Sequence, residues 1–256
     1  MIITNTPQKT LAKAVELKGI GLHSGKAIDL VLRPAAADCG FVFVRTDLDP
    51  QVEIPALAQY VSKTDRGTTL SVEGVDVQTT EHVLAALVGC GINNCRIELN
   101  GAEVPILDGS SKPFVEAIQT AGIQDQEALQ EIFVVQENIH ITDEASGSEI
   151  LIVPAESTSL TVLIDFETKV LGTQNAVLHK MEDFPSEIAS SRTFSFLHEL
   201  ETLLEQNLIK GGDLNNAIVY VNKTLDKETM DRLKKAFGKK EIAVKKNGIL
   251  DNLTLH

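Results

Sequence analysis

The chain has 256 residues, 43% hydrophobic, 4% aromatic and 23% charged, and its 36 acidic against 23 basic side chains give a formal charge of −13. That length supports one large domain or two of about 120 residues with a substantial core, and the apolar content excludes a disordered or fibrous chain. The negative balance argues against a general nucleic-acid binder, because phosphates would be repelled.

In chain order, Ala27–Leu32 and Phe41–Val44 have strand composition, as does Thr68–Val72, followed by a turn over Glu73–Asp76. Thr80 to Val88 predicts a helix, capped by Thr79 or Thr80, with Glu81 in its first turn and Gly89 at its end. Asn94–Leu99 returns as a strand. Pro113 opens a second helix over Phe114–Ala121, closed by Gly122. Residues 122–130 (GIQDQEALQ) are polar and mark the expected boundary between an N-terminal part, 1–127, and a C-terminal part, 128–256.

Beyond it, Phe133–Ile141 and Glu149–Pro154 predict a hairpin around Glu144–Gly147, and Leu160–Phe166 predicts a strand. Ser186 to Glu205 predicts a long helix capped by Ser186, with Ile188, Phe196, Leu200, Leu203 and Leu204 on its apolar side, an interruption near Thr193–Ser195, and Asn207 at its end. Ala217–Val221 is a strand. Asp226–Phe237 is an amphipathic helix with Met230, Leu233 and Phe237 inward. The expectation is an α+β protein of two similar domains.

Cys39, Cys90 and Cys95 form no CxxC pair, and their odd number fits a reducing, cytoplasmic setting with all three thiols buried or half-buried. No run reaches the roughly 20 apolar residues of a membrane span. The start, Met1-Ile2-Ile3-Thr4-Asn5, lacks the marks of a secretory signal. Lys223 to Lys246 holds eight lysines and Arg232, read as a solvated helix and hairpin.

Five segments carry candidate chemistry. Gly19-Ile20-Gly21-Leu22-His23-Ser24-Gly25 is followed by a strand, not a helix, so the glycines predict a tight turn that presents His23 rather than a dinucleotide loop. Thr79-Thr80-Glu81-His82 places an imidazole that can ligate a metal beside a carboxylate that can take a proton from metal-bound water. His179 and Asp183 have i, i+4 spacing, but Pro185 argues against a helix there, and a surface turn is expected. Ser191 to Phe196 lies in or beside the long helix. Gly211-Gly212 allows a close backbone approach.

Four of these segments, at residues 19–26, 79–87, 191–194 and 211–213, occur in one order with Pro105-Ile106-Leu107-Asp108-Gly109-Ser110-Ser111. The set resembles the zinc-dependent UDP-3-O-acyl-N-acetylglucosamine deacetylases of lipid A synthesis. The resemblance implies that each domain pairs a sheet with helices, with the active site between them. It also implies a zinc (Zn2+) hydrolase that removes the N-acetyl group of acylated UDP-N-acetylglucosamine. It implies His82 as a zinc ligand, Glu81 as the base that activates water, and Thr193 as a hydroxyl that holds the tetrahedral oxyanion. Phe194 matches the sugar site. Leu197, Leu200, Ile209, Gly212, Ala217 and Val219 match an apolar passage for the acyl chain, and His23 and Asp108 match positions near the reaction.

One departure stands out. The family's H-K-x-x-D helix, expected after Val221, and a later histidine are not found. His179 to Asp183 carries those letters on the wrong side of Thr193. The expectation is a C-terminally truncated chain that binds zinc weakly. Its Lys-rich stretch looks like that of the subgroup fused to a 3-hydroxyacyl-carrier-protein dehydratase, a second enzyme beyond residue 256. The alternative is a catalytically silent module that holds an acylated nucleotide sugar.

Overall fold

The computed structural model describes residues 2–200, 210–222, 225–239, 241–245 and 248–252. Five strands build the main sheet of the first half: β2 (Val15–Ile20), β3 (Ala27–Pro34), β4 (Phe41–Arg45), β5 (Val52–Pro55) and β9 (Cys95–Leu99), in the order β2-β3-β9-β4-β5. Every pairing is antiparallel except β4 with β9. Side chains alternate across a strand, so Ile28, Leu30 and Leu32 of β3 and Cys95, Ile97 and Leu99 of β9 point to one buried face.

Two helices add to this core. From α1 (Glu81–Gly89) come Val83, Ala86 and Leu87, and from α2 (Lys112–Ala121) come Phe114, Val115, Ile118 and Ala121. Gly89 is the last residue of α1. A side chain there would collide with the ring of Phe184, so the glycine admits a neighbouring element rather than simply ending the helix. A three-stranded sheet of β6 (Val61–Lys63), β7 (Thr69–Val72) and β8 (Val75–Val77) adjoins the first. The turn expected over Glu73–Asp76 is therefore shorter, with Gly74 at a φ of 81°.

Residues 122–130 are not a linker. Most of them form β10 (Ile123–Ile132), antiparallel to β1 (Ile2–Leu11). Their polarity reflects amide side chains bonded across the fold. Buried Asn94 donates through Nδ2 to Gln8 Oε1 at 2.7 Å and to Gln126 Oε1 at 2.8 Å, and Gln126 Nε2 donates to the Ala35 carbonyl at 2.9 Å. The division expected at 127/128 falls inside β10.

Two separate hairpins follow, β11 (Ile139–Asp143) with β12 (Ser148–Ile152) and β13 (Leu160–Asp165) with β14 (Thr173–Leu178). The register puts Ile139, Ile141, Ile150 and Ile152 on one side of the first hairpin.

The long helix expected from Ser186 is replaced by shorter elements. A short helix α3 (Phe184–Glu187) has Asp183, not Ser186, before its first residue, and Phe184 and Ala189 complete the first core. Phe194–Phe196 then forms β15, parallel to β16 (Ile218–Tyr220), before the chain turns helical at residues 197–200. Aromatic residues with a β-branched neighbour favour the extended state once a partner strand is present. Ile209, with Leu203, Leu204 and Asn207, lies outside the described residues.

A four-stranded sheet of order β15-β16-β18-β17, with β17 at Ile242–Val244 and β18 at Ile249–Asn252, packs with α4 (Lys227–Phe237). Asp226 caps α4 by accepting from the Thr229 N–H at 2.7 Å, and Gly238 closes it in the left-handed conformation. Leu197, Leu200, Leu214, Val219, Leu233, Ile242 and Leu250 form a second core, joined by Met230 and Phe237 as the sequence predicts. The class is α+β.

Candidate active site

A cavity of about 810 Å³ opens where the two cores approach one another. His23, Gln78 and Thr79 line it from the first half, and Thr193, Phe194, Ala217 and Val219 from the second. Lys63 and Arg66, before β7, and Lys210 stand on its wall together with Asp65, Glu199 and Asp213, so its polar side carries both signs of charge. Phe194 sits at the centre of an aromatic group, edge-on to Phe166 at 5.3 Å, to Phe196 at 5.7 Å and to Tyr220 at 5.8 Å. Edge-to-face contacts of this kind fix ring orientation and add about 0.5–1.5 kcal/mol each.

Glycines allow the halves to meet. The Gly211 amide donates to the Leu22 carbonyl at 3.1 Å, and any side chain at Gly211 would overlap the Gly21 carbonyl. Gly109, at a φ of 84°, lies so close to the Asn216 carbonyl that no side chain fits. Here the Thr193 amide donates to the Gly109 carbonyl at 2.7 Å, and the Thr193 carbonyl accepts from Ile218 at 2.9 Å. The loop over residues 105–111 thus reaches from the first half to the strand that carries Thr193.

Glu81 and His82 occupy the first turn of α1. Glu81 accepts from the Thr68 amide at 2.9 Å, and Gly67 lies against its carboxylate. The His82 carbonyl accepts from Ser111 Oγ at 3.0 Å, which ties the helix start to the same loop. Burial pushes the His82 imidazole below its usual range, against the opposing pull of the Glu81 and Asp108 carboxylates. A neutral imidazole keeps a lone pair for a ligand. Asp108 accepts from Ser110 through both its amide, at 2.9 Å, and its hydroxyl, at 2.8 Å. Its carbonyl accepts from Arg192 Nε at 2.7 Å.

Two residues beside this turn have left-handed backbones, Thr79 at a φ of 58° and Leu107 at 54°. For residues other than glycine this costs on the order of 1–3 kcal/mol each.

The structure brings together most of the positions singled out in the sequence. His23, Thr193, Phe194, Leu200, Gly212, Ala217 and Val219 line the cavity. Leu197 does not. It is fully buried in the second core. Glu81 and His82 do not line it, although the Glu81 carboxylate lies against Gly67, which does. His179 is exposed at the end of β14, and Asp183 lies in a single 3₁₀ turn, Met181–Asp183. That segment packs at the Gly89 end of α1, about 10 Å along the axis from His82.

The sequence reading missed Glu103. It is 1% exposed and accepts from the His23 amide at 2.8 Å, the Ser24 amide at 2.9 Å and the Thr79 hydroxyl at 3.3 Å. Its one visible signal was its place two residues before the quoted Pro105–Ser111 segment. Among the described residues no group of three His, Cys, Asp or Glu side chains can hold a metal ion.

The sequence matches the family described as UDP-3-O-acyl N-acetylglycosamine deacetylase, LpxC, over residues 8–238. The chain belongs to this family. Among named relatives, a UDP-3-O-acyl-N-acetylglucosamine deacetylase of Myxococcus xanthus is 47% identical over 213 residues, 83% of this chain and 67% of that protein. A bifunctional enzyme LpxC/FabZ of Chlorobaculum tepidum is 42% identical over 251 residues, 97% of this chain and 54% of that protein. Another, of Bacteroides thetaiotaomicron, is 42% identical over 231 residues, 90% of this chain and 50% of that protein. The chain spans about half the length of these two bifunctional relatives. No helix among the described residues is long and apolar enough to cross a membrane.

Cys39, expected to be at least half-buried, is exposed, whereas Cys90 is half-buried and Cys95 fully buried. Cys39 lies in the loop before β4, outside both cores, which explains the difference.

Proposed function

We propose that this LpxC-family chain supplies the substrate-binding walls, and part of the catalytic apparatus, for removing the N-acetyl group of UDP-3-O-acyl-N-acetylglucosamine. The observation that carries the reading is one cavity that joins an apolar wall (Phe194, Leu200, Ala217, Val219) to a polar wall bearing Lys63, Arg66 and Lys210 among Asp65, Glu199 and Asp213, and that reaches Gly67, which lies against the Glu81 carboxylate. The apolar wall suits the acyl chain, each buried methylene contributing about 0.8 kcal/mol. Lys63 and Lys210 offer charge to a diphosphate, while Arg66 is paired with Glu199. Glu81 is assigned as the base that takes a proton from the attacking water. Thr193 is assigned as the donor to the tetrahedral oxygen, a role worth roughly 2.7–4 kcal/mol in a transition state. Phe194 is assigned to the sugar and His23 to the substrate, with the two walls drawn from the parts of the chain before and after β10.

Zinc enters through the resemblance, with His82 as its ligand. Around His82 stand two carboxylates already engaged by N–H and O–H donors, and this set does not make a three-ligand zinc site. The steps open to the chain's own side chains are proton transfer at Glu81 and hydrogen bonding from Thr193.

The incomplete donor set favours a second reading, a silent holder of the acylated nucleotide sugar. Acetate release from UDP-3-O-acyl-N-acetylglucosamine, with Glu81→Ala as control, separates the two. Release that disappears in Glu81→Ala supports catalysis. Calorimetric binding without Glu81-dependent release supports the holder, and neither binding nor release overturns both. The match to bifunctional relatives favours a 3-hydroxyacyl-carrier-protein dehydratase as a fused partner.

A further inference from the structure

Buried carboxylates are retained at a cost unless charge partners or several hydrogen bonds hold them. No ion pair reaches Glu103 among the described residues. Its two oxygens instead collect donors from two segments far apart in the chain: the main-chain N–H groups of His23 and Ser24, and the hydroxyl of Thr79. Successive amides converging on one anion form a backbone nest, here filled from within the protein. The fit is tight, because a side chain at Gly21 would strike the Glu103 carboxylate.

Both ends of this arrangement face the same cavity, where His23 and Thr79 form part of the wall. Thr79 also holds its left-handed backbone three residues before His82. Glu103 is anchored in turn, because its flanking strand-like backbone pairs with Gln78: the Gln78 amide donates to the Ala102 carbonyl at 2.9 Å and the Val104 amide to the Gln78 carbonyl at 3.0 Å.

We propose that Glu103 is a positioning residue for the substrate site: its carboxylate fixes the His23 turn and Thr79 in one geometry, and so sets where the His23 imidazole meets the nucleotide sugar. This rests on the functional reading above for the identity of the ligand, but not for the positioning itself.

The test uses the full chain, with Glu103→Gln, His23→Ala and the double variant. The first measurement needs no ligand. In Glu103→Gln the His23 and Ser24 amide protons move upfield in ¹H–¹⁵N spectra, as expected when hydrogen bonds to a charged group are lost, and diethyl pyrocarbonate modifies His23 at a changed rate under native conditions as its turn is released. The second measurement is calorimetric binding of UDP-3-O-acyl-N-acetylglucosamine. Glu103→Gln weakens it about ten-fold, and the double variant binds no more weakly than the weaker single variant, because both changes remove the same interaction. Unchanged amide shifts and His23 reactivity in a folded Glu103→Gln protein overturn the proposal. So do binding losses that multiply in the double variant. A purely structural role lowers the unfolding midpoint while leaving His23 reactivity in the native state at the parent rate. If the parent chain does not bind the sugar nucleotide, the functional reading fails, and the spectra and modification rate still decide the role of Glu103. If Glu103→Gln does not fold, Glu103→Asp and Thr79→Val are read by the same two ligand-free measurements.

Discussion

Arg45 shows how much one side chain can organise. Its guanidinium, 8% exposed, clasps Asp47 through Nε at 2.8 Å and Nη2 at 2.7 Å, and donates through Nη1 to the Asp76 carbonyl at 2.9 Å. The hydrogen bonds from Arg45 hold the Asp47 carboxyl below its ordinary pKa of 3.8. A carboxylate with a depressed folded pKa stabilises the protein fully above its unfolded value, and that contribution disappears as pH falls through the folded value. Asp47→Asn is therefore expected to cost about 1–2 kcal/mol at pH 7, chiefly by leaving the buried guanidinium short of a partner. The deficit should shrink below about pH 4, and urea unfolding at stepped pH measures both. The thiols give a second residue-scale prediction. Burial pushes Cys95 up to about 12 and also raises Cys90, while Cys39 is exposed. Alkylation at pH 8 followed by mass spectrometry should label Cys39 first, Cys90 more slowly, and Cys95 only after unfolding.

At the scale of elements, the loop over 105–111 is held by backbone conformation. Gly109→Ala forces a side chain into the Asn216 carbonyl at a left-handed φ, and should lower stability by more than about 2 kcal/mol. Thermal unfolding checks this. Asp226→Ala, which removes the cap of α4, should cost about 1 kcal/mol by the same measurement. The elements whose pattern is local were legible in the sequence: β3 from its alternation, α2 from Pro113 and Gly122, and α4 from Asp226 and its apolar face. Those that depend on distant partners were not. Phe196 falls on a helical repeat with Leu200, yet residues 194–196 pair with residues 218–220, and that pairing decides their state. Residues 123–132 look like a connector because their amides bond across the fold instead of entering a core. The site divides in the same way. The turn at His23 could be read from its glycines, and α1 starts where expected, but neither threonine caps it: the Thr80 hydroxyl donates to the Thr68 carbonyl and that of Thr79 to Glu103. Glu103 could not be read, because its donors lie 80 residues away at His23 and 24 away at Thr79.

At the scale of the whole molecule, metal affinity is the sharpest measurable property. One imidazole beside two engaged carboxylates should hold zinc more weakly than about 1 μM, or roughly 8 kcal/mol. Calorimetric titration tests this, and His82→Ala should abolish what binding there is. Tight one-to-one binding lost on His179→Ala would instead make the exposed His179–Asp183 segment the metal site. The cavity is formed by parts of two cores, so its shape depends on how firmly the halves are held together. Arg66 and Glu199 face each other across its wall at 3.5 Å, a largely exposed pair that salt weakens.

The main-chain bond from Gly211 to Leu22 also makes the molecule its own sensor. Deuterium uptake at that one amide, followed beside the Thr193 amide on Gly109, reports whether the halves separate together or fray at one seam. Equal protection at both positions marks concerted opening. A faster exchange at Gly211 alone places the gap on the side where His23 stands.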